Sequence, residues 1–295
     1  ALGNAELPNH TSTFKLVQSG KDGSGKPFIV LASERNGVKL EKTFILSPGS
    51  YVVDVGHRVT QSNANAAPLV LYTEIVRDAS QEQKIGPFGG AFSASTFTGP
   101  AAYTEKEKFN KLEFTAIDKN KITIPTQVPA GDPAWIAMVQ HYFASAWILP
   151  DGIQRELFTR KVDTNLYSVG MITGLDSIAP GTTKTVESRF FAGPQVEKSM
   201  ESITPGLELV KDYGWLTILA KPLFWLLHQL NNILGNWGWS IVSLVVLLKA
   251  AFYWLNAHAY QSMAKMKAIN PKIMEMRERL KDNPQQMQME MMKIY

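Results

Sequence analysis

The sequence predicts a two-part membrane protein, with an all-β domain over residues 1–204 and a helical, membrane-associated region over residues 205–295. Three observations predict it. From Thr11 to Phe191, short β-branched and aromatic runs alternate with turn clusters, and no helical period is sustained. Trp237 to Leu255 (WGWSIVSLVVLLKAAFYWL) is a nearly unbroken apolar stretch of 19 residues, enough to cross most of a bilayer's hydrocarbon core. Basic residues then crowd the end of the chain. Met263 to Tyr295 holds Lys265, Lys267, Lys272, Arg277, Arg279, Lys281 and Lys293 against Glu275, Glu278, Asp282 and Glu290.

Bulk composition bounds the answer without deciding it. At 295 residues, 45 % apolar and 19 % charged, the chain has globular averages, so the membrane signal is local. A net charge of +4 is too small and too uneven to argue for a sequence-specific nucleic-acid partner. With no cysteine, neither a disulfide framework nor a thiolate metal site is available. The stretch ALGNAELPNHTST lacks a basic region followed by an apolar run, so no signal peptide is visible. An export or anchor segment is expected before Ala1 if the β domain lies outside the cytoplasm.

In chain order, the expected strands are Phe14 to Gln18, Phe28 to Ser33, Val38 to Leu46, Tyr51 to Thr60 and Leu69 to Arg77, then Lys111 to Ile117, Lys121 to Pro125, Trp135 to Leu149, Leu157 to Arg160, Leu166 to Ile172 and Thr183 to Phe191. KDGSGKP, ERNG, SPGS and QSNANAAP separate the first five, supplying residues that preset φ or tolerate φ > 0. Tyr51, Val53, Val55, His57 and Val59 alternate with Val52, Asp54, Gly56, Arg58 and Thr60, which predicts one buried and one partly wet face. Such a strand count suits a large two-sheet sandwich. Ala134 to Trp147 is the densest apolar run of this half and reads as a buried strand pair or a bent strand. His141 within it, and His57, read as satisfied core histidines, because no serine elbow, paired histidine or partner acid accompanies them. The run Glu105 to Lys108 reads as a solvated loop or short helix. Gly86 to Pro100 lacks the lysine and spacing of a phosphate loop and reads as an irregular loop anchored by Phe88, Phe92 and Phe97, a conceivable edge for a peptide or sugar.

Residues 205–236 read as a linker and an amphipathic helix lying in the membrane interface. Thr217, Lys221, His228, Asn231 and Asn232 share a narrow polar sector, while Trp215, Trp225 and many leucines cover the rest of the circumference. Pro222 removes one internal hydrogen bond and is expected to kink it. A second spanning helix is the rival reading. Gly235 to Gly238 then turns the chain into the membrane, with Trp237 and Trp239 at headgroup depth.

The spanning helix is expected over residues 237–256, and a cytoplasmic helical hairpin over 257–295, oriented by the positive-inside bias. Lys249 is the one charged side chain in the span, and Tyr253, Asn256 and Tyr260 follow it at helical spacing. Two readings stand: this half-stripe lines a water-filled groove, or Lys249 snorkels to the headgroups. Beyond it, Met263, Met266, Ile269, Ile273, Met276 and Leu280 form an apolar stripe, Asn283-Pro284 restarts a helix, and Met287, Met291 and Ile294 continue the seam. The exposed basic positions Lys265, Lys267, Lys272, Arg277 and Arg279 are the candidate docking residues on the cytoplasmic side.

Several stretches together resemble the YidC membrane protein insertase family, of the YidC/Oxa/Alb superfamily. They are WIAMVQHYFASAWILP (Trp135 to Pro150), PGLELVKDYGWLTILAKPLFWLL (Pro205 to Leu227), GNWGWSI (Gly235 to Ile241), YQSMAKMKAINPKIMEMRERLKDN (Tyr260 to Asn283) and MEMMKIY (Met289 to Tyr295). The resemblance implies a β-supersandwich domain in the periplasm of a bacterial inner membrane. It implies insertion of nascent membrane proteins, alone or beside the Sec translocon, with no cofactor, metal or covalent chemistry, and with the ribosome or signal-recognition machinery as candidate partners of the hairpin. It also implies an anchor helix before Ala1 and further core helices after Tyr295. The family carries a basic residue, usually Arg, in an intramembrane groove that receives the substrate's polar tail. Lys249 stands at the matching position, which favours groove over snorkel but lacks the planar donor fork of Arg. Trp254 and Asn256 replace the family's usual Pro and small residue. Two other readings belong to different classes: a membrane-tethered periplasmic domain that binds polypeptide or carbohydrate, and a sugar-epimerising enzyme, for which no paired His and carboxylate is visible.

Overall fold

The computed structural model describes residues 6–62, 68–79, 97–122, 124, 127–211 and 217–279. It divides into two compact units, Ala1–Gly214 and Trp215–Tyr295. The first is built on thirteen described strands: β1 Lys15–Lys21, β2 Pro27–Arg35, β3 Val38–Leu46, β4 Val52–Gln61, β5 Val70–Asp78, β6 Gly99–Thr104, β7 Lys108–Lys111, β8 Gln127–Val128, β9 Ala134–Val139, β10 Phe143–Ile148, β11 Arg155–Asp163, β12 Leu166–Gly174 and β13 Thr183–Pro194. Nine of them form one antiparallel sheet in the order β1-β2-β3-β4-β13-β10-β9-β6-β7, and four form another in the order β5-β12-β11-β8. The two-sheet sandwich expected from the strand pattern is present.

The dense run Ala134 to Trp147 is a hairpin of β9 and β10 at the heart of the large sheet, paired from Ala144↔Val139 to Ile148↔Trp135. Every residue of β9 is buried because both faces of this strand are covered. Ala134, Ile136 and Met138 point to the small sheet and join Leu157, Val169 and Met171 there. Trp135, Ala137 and Val139 point to the opposite face, where Met200, Leu207 and Val210 close over them. Those last residues come from α2 (Glu197–Glu201) and a 3-10 turn at Leu207–Val210. The structure therefore carries the β unit past the expected boundary at residue 204. Trp135 Nε1 donates to Pro205 O at 3.1 Å, and its ring stacks on Tyr103 at 5.6 Å between centroids. Gly206, at φ 80°, lies so close to the Tyr103 ring that a Cβ would run into it.

The sequence reading of the alternation in β4 is met from Val55 onward, whereas Tyr51 is exposed and Val52 and Val53 are both half-buried. Val55, His57 and Val59 are buried, while Arg58 is exposed and Asp54 and Thr60 are half-buried. Elsewhere the structure differs. Residues expected as a strand up to Ile117 instead give β7 and then a short helix, α1 (Phe114–Asp118), whose Asp118 accepts from Tyr167 Oη at 2.9 Å. β6 was not expected, since Gly-Pro-Ala-Ala has little strand propensity; burial between β7 and β9 overrides it. Glu105 to Lys108 is the turn joining β6 to β7, with Lys108 at φ 58° and its ammonium 2.6 Å from Glu105. His141 is half-buried in the β9–β10 turn, edge-on to Tyr142, and so is not a core histidine. Of the loop anchors, Phe97 packs on the core beside Ala101; Phe88 and Phe92 lie outside the described residues.

One cation is built into the core. Arg155 is 1 % exposed and gives its donors to four main-chain carbonyls. Nη1 reaches Ala134 O and Leu149 O, both at 3.0 Å, Nη2 reaches Pro150 O at 2.8 Å, and Nε reaches Ile153 O at 3.1 Å. The guanidinium thus ties the start of β9 and the end of β10 to the start of β11.

The second unit contains α3 (Thr217–Leu234), α4 (Trp237–Ala251) and α5 (Tyr253–Arg279), with Pro222 inside α3 and Pro271 inside α5. Gly235, at φ 64°, ends α3 with its N–H on Asn231 O at 2.8 Å. Asn236 caps α4, its Oδ1 accepting from Gly238 N at 2.8 Å and Trp239 N at 3.3 Å. These two residues make the sharp turn expected at 235–238. The expected span over 237–256 is divided: α4 stops at Ala251, Phe252 sits at φ −91°, ψ 4°, and the axis turns by 60° between Trp237–Ala251 and Asn256–Pro271. Phe252 to Trp254 are three aromatics in succession, each losing χ1 freedom against the preceding turn, which weakens the helix there. The restart at Asn283-Pro284 and the seam at Met287, Met291 and Ile294 lie outside the described residues.

Arg155→Met should lower the free energy of unfolding by about 3 kcal/mol, because several buried carbonyls lose their donor at once. Arg155→Lys should recover little of it, since one ammonium cannot span the same carbonyls. Urea midpoints followed by tryptophan fluorescence measure both, and unchanged midpoints would contradict the clamp.

His57 gives a pH signature. Burial pushes its pKa down to about 4, helped by the Lys42 ammonium and opposed by a hydrogen bond to the Val186 backbone. In the unfolded chain the ring takes up its proton near pH 6.5, before the folded protein can. Stability is therefore full above pH 6.5 and falls as the pH drops toward 4, by an amount on the order of 3 kcal/mol. The difference between wild type and His57→Gln in denaturant titrations should grow smaller across that window, and parallel pH profiles would refute it.

Candidate functional site

The α3–α4 pair, which packs helix against helix, exposes large apolar side chains. Ile218 is 91 % exposed, Ile233 81 % and Trp225 64 %, and on α4 Trp239, Ile241, Val242, Val245 and Val246 are all exposed. The sheltered positions are mixed: Leu223, Leu226, Leu227, Leu230, Leu244 and Leu248 are half-buried, and polar side chains stand among them. His228 lies against the Trp237 ring at 6.1 Å, and Asn231 Oδ1 is buried with no hydrogen-bond partner. Ser240 is the one fully buried residue of α4 and donates to Asn236 O at 2.7 Å. The polar sector read from the wheel is thus split: Lys221 and Asn232 are exposed, whereas His228 and Asn231 turn inward.

Lys249 is exposed in the last turn of α4, where a cation also complements the helix dipole. Tyr253 and Asn256 are exposed as well but belong to α5, across the break. The single straight face counted on one wheel is replaced by a bend between the lysine and its two polar followers. Among the described residues no single helix is long and apolar enough to cross a membrane; Trp237–Ala251 and Asn256–Pro271 meet the length and hydropathy requirement together, as a bent pair. Trp237 is exposed and Trp215 lies outside the described residues. Lys265 and Lys267 are exposed on α5; Lys272, Arg277 and Arg279 follow on the same helix.

A second candidate lies between the sheets of the β unit, a cavity of about 520 Å³ that sequence reasoning missed. Its walls include Leu40 and Phe44 of β3, Val55 of β4, Leu71 of β5 and Trp147 of β10, and Leu7 to His10 border it. Asn9, His10, Tyr72 and Glu74 add polar groups to the lining, and three more lie deeper among its apolar side chains. His57 is 4 % exposed, and its Nδ1 has no hydrogen-bond partner. Thr73 is 5 % exposed on the opposing sheet, and its Oγ1 is equally unpartnered. Lys42, directly across from His57 in the β3–β4 register, holds its ammonium 4.6 Å from the Phe14 ring centroid, and burial pushes its pKa down. The signal was available: Lys42 stands at an inward position of a strand reading Val38, Leu40, Lys42, Phe44. Among the described residues no group of three His, Asp or Glu side chains is placed to hold a metal ion.

Two family models cover the chain, the YidC periplasmic domain over residues 1–226 and the 60Kd inner membrane protein over residues 229–295. Among curated relatives, the membrane protein insertase YidC of Polynucleobacter necessarius subsp. necessarius (strain STIR1) is 66 % identical over 295 residues, all of this chain and 53 % of the relative. That of Cupriavidus metallidurans is 50 % identical over 297 residues, covering 52 % of the relative. The chain spans about half the length of the curated relatives it matches. A putative aldose 1-epimerase from Escherichia coli K12 overlays with a TM-score of 0.37 at 14 % identity, covering 64 % of this chain and 75 % of its own, a likeness too slight to bear on fold or chemistry. With one family model matched across the whole β unit and another across the helices that follow, the chain belongs to the YidC family.

Proposed function

We propose that this chain is part of a membrane protein insertase of the inner membrane, with its helical unit in lipid and its β unit, a supersandwich, in the periplasm. The observation that carries the reading is the large apolar surface that α3 and α4 expose, with polar side chains sheltered among them. In water, a helix pair that exposes Ile218, Trp225, Ile233 and Val246 while sheltering Asn231 and Ser240 is unfavourable on both counts. In hydrocarbon the apolar faces are covered by lipid, and Ser240 keeps its hydrogen bond to Asn236 O within its own helix. The names of the relatives and the inner-membrane description of the second family model support it. Lysines and arginines after Tyr260 favour a cytoplasmic α5 by the positive-inside bias.

On this reading α4 and the start of α5 are one broken span, and α3 lies in the interface with Trp215, Trp225, Trp237 and Trp239 near the headgroups. A hydrated groove on the cytoplasmic half is placed at the bend after Ala251, with Lys249 on one side of the break and Tyr253 and Asn256 on the other. A nascent membrane protein enters with its polar tail against the Lys249 ammonium, which lowers the cost of bringing that tail into the bilayer. Its apolar segment then leaves sideways into lipid. Lys265, Lys267, Lys272, Arg277 and Arg279 offer a cationic docking surface to the ribosome or signal-recognition machinery, and the Sec translocon is the expected companion within the membrane. No cofactor or metal takes part.

A second reading rests on the inter-sheet cavity, whose orphaned His57 and Thr73 suit a ligand: a membrane-tethered periplasmic domain that binds polypeptide or carbohydrate. In the full-length protein, Lys249→Ala should slow insertion of a substrate with an acidic tail about tenfold, the scale of one charge-assisted contact, while Lys249→Arg retains it. Equal insertion by wild type and both variants in proteoliposomes would remove the groove role.

A further inference from the structure

We propose that the β unit rests on the bilayer surface by one end of its large sheet, with the rings of Tyr51, Tyr142 and Phe143 at headgroup depth. The proposal rests on the reading that the helical unit lies in lipid, and goes beyond it by naming the face of the β unit that meets the membrane. Its starting point is a cluster of large apolar side chains left in water. Leu46, Tyr51, Tyr142, Phe143 and Val196 are all exposed, Tyr142 by 70 %. They come from three stretches far apart in sequence: the β3–β4 turn, the β9–β10 turn and the end of β13. The ladders bring these together. Leu46 faces Val53, Val52 faces Phe191, and Phe143 faces Pro194. Gln195 N donates to Tyr142 O at 2.9 Å, and a Cβ on Gly193 would run into the Tyr51 ring.

The two ends of this sheet differ in charge. Residues 46–51 (LSPGSY), 140–143 (QHYF) and 194–196 (PQV) hold no Asp, Glu, Lys or Arg. At the opposite end of the same strands the chain places Glu34 and Arg35 between β2 and β3, Glu105 to Lys108 between β6 and β7, Asp132 before β9 and Asp151 after β10. A charge moved toward hydrocarbon is costly, so the uncharged end is the one that approaches lipid at least cost. Charged residues flank it, with Lys21, Asp22 and Lys26 at the β1–β2 turn and Glu197 and Lys198 in α2. An apolar centre with polar flanks matches the layering of a bilayer surface, where aromatic rings collect between headgroups and acyl chains.

The backbone of these turns is suited to leaving water, because it satisfies much of its own hydrogen bonding. Ser50 N donates to Ser47 O at 3.0 Å and Gln140 N to Phe143 O at 2.9 Å. The Gln195 side-chain amide then donates to Gln140 O at 2.7 Å and Phe143 O at 3.1 Å, closing the β9–β10 turn from the side. The course of the chain points to the same end. α2 begins one residue after Val196 and packs against the 3-10 turn at Leu207–Val210. Lys211 follows that turn, and its ammonium feels the Glu197 carboxylate at the start of α2. The chain therefore leaves the β unit beside its uncharged end, and the six steps from Lys211 to Thr217 reach at most about 20 Å. With α3 in lipid, so short a tether holds this end at the membrane surface, which favours lipid over a separate protein as what covers it.

The test uses the full chain in vesicles of purified phosphatidylethanolamine and phosphatidylglycerol that carry a nitroxide either on the headgroup or on the acyl chain. Single bimane-labelled cysteines stand at Gln140 and Val196 on the uncharged end, at Glu34 and Lys106 on the charged end, and at Val246 in α4. The headgroup nitroxide should quench Gln140 and Val196 and spare Glu34 and Lys106, while the acyl-chain nitroxide quenches Val246. Salt at about 0.5 M, which screens ionic contacts, should leave that pattern in place. Tyr142→Glu and Phe143→Glu, both at exposed positions, should each remove most of the quenching at Val196 without moving the thermal midpoint. Quenching at Val246 with none at Gln140 and Val196, or with equal quenching at both ends, would overturn the docking face and leave the placement of the helices intact. Quenching that salt abolishes, or that both glutamate variants leave unchanged, would overturn it as well. So would labels at Gln140 and Val196 that are shielded from iodide in native membranes yet unquenched in purified lipid, since a protein then covers this face. No quenching at Val246 would overturn both readings.

Discussion

Arg155 directs its guanidinium at main-chain carbonyls instead of a carboxylate, and the β unit is organised around that choice. Its four hydrogen bonds converge from Ala134, Leu149, Pro150 and Ile153, the ends of three strands that belong to two different sheets. A strand buried on both faces, as β9 is, has no wet side through which its terminal carbonyls can reach water. A long side chain with several donors, held between the sheets, satisfies them together. This lets the large sheet be covered twice, by the small sheet on one face and by Met200, Leu207 and Val210 on the other. Anchoring of Pro205 and Leu207 to that second face follows from it, since Trp135, whose indole holds Pro205, lies on β9.

The two units differ in how much apolar surface they leave exposed. In the β unit, alternation places Val55 and Val59 inside and Arg58 outside, the ordinary result of removing apolar area from water. In the helical unit Ile218 and Ile233 face outward, while Asn231 and Ser240 are sheltered. The same hydrophobic effect gives both results if the solvent differs. The exceptions within each unit are then informative. Lys42, His57 and Thr73 are polar where the β unit should be dry, and Lys249 is charged where the helical unit should be apolar. Each sits beside a cavity or a bend, where regular packing is interrupted.

Much of this was legible in the sequence. The sequence places Val38 to Leu46 to the residue and makes Ala134 to Trp147 a buried strand pair or a bent strand, of which the structure has the pair, because alternation and a two-sided apolar run are direct images of burial. The turn at Gly235 and Asn236 was legible for a local reason as well, since a left-handed glycine followed by a capping asparagine needs no tertiary context. What was not legible depends on partners distant in sequence. β6 is a strand because β7 and β9 flank it, and Leu207 and Val210 belong to the β unit because β9 exposes Trp135 and Val139 on its outer face. The break after Ala251 escaped a hydropathy count, which reads Phe252 to Trp254 as apolar and is blind to their crowding. His57 was expected to be satisfied, and only the register against Lys42 and the unpartnered Nδ1 show otherwise.

The central claim is that α3 and α4 are turned outward to lipid, and the chain's lack of cysteine allows it to be tested one position at a time. Single cysteines at Ile218, Ile233 and Val246, and at Asn231 and Ser240, would each carry a bimane label in reconstituted vesicles containing doxyl lipids. Strong quenching at the first three positions with weak quenching at Asn231 and Ser240 is the predicted pattern. Quenching that is equal at all five, or strongest at Asn231 and Ser240, would contradict the assignment.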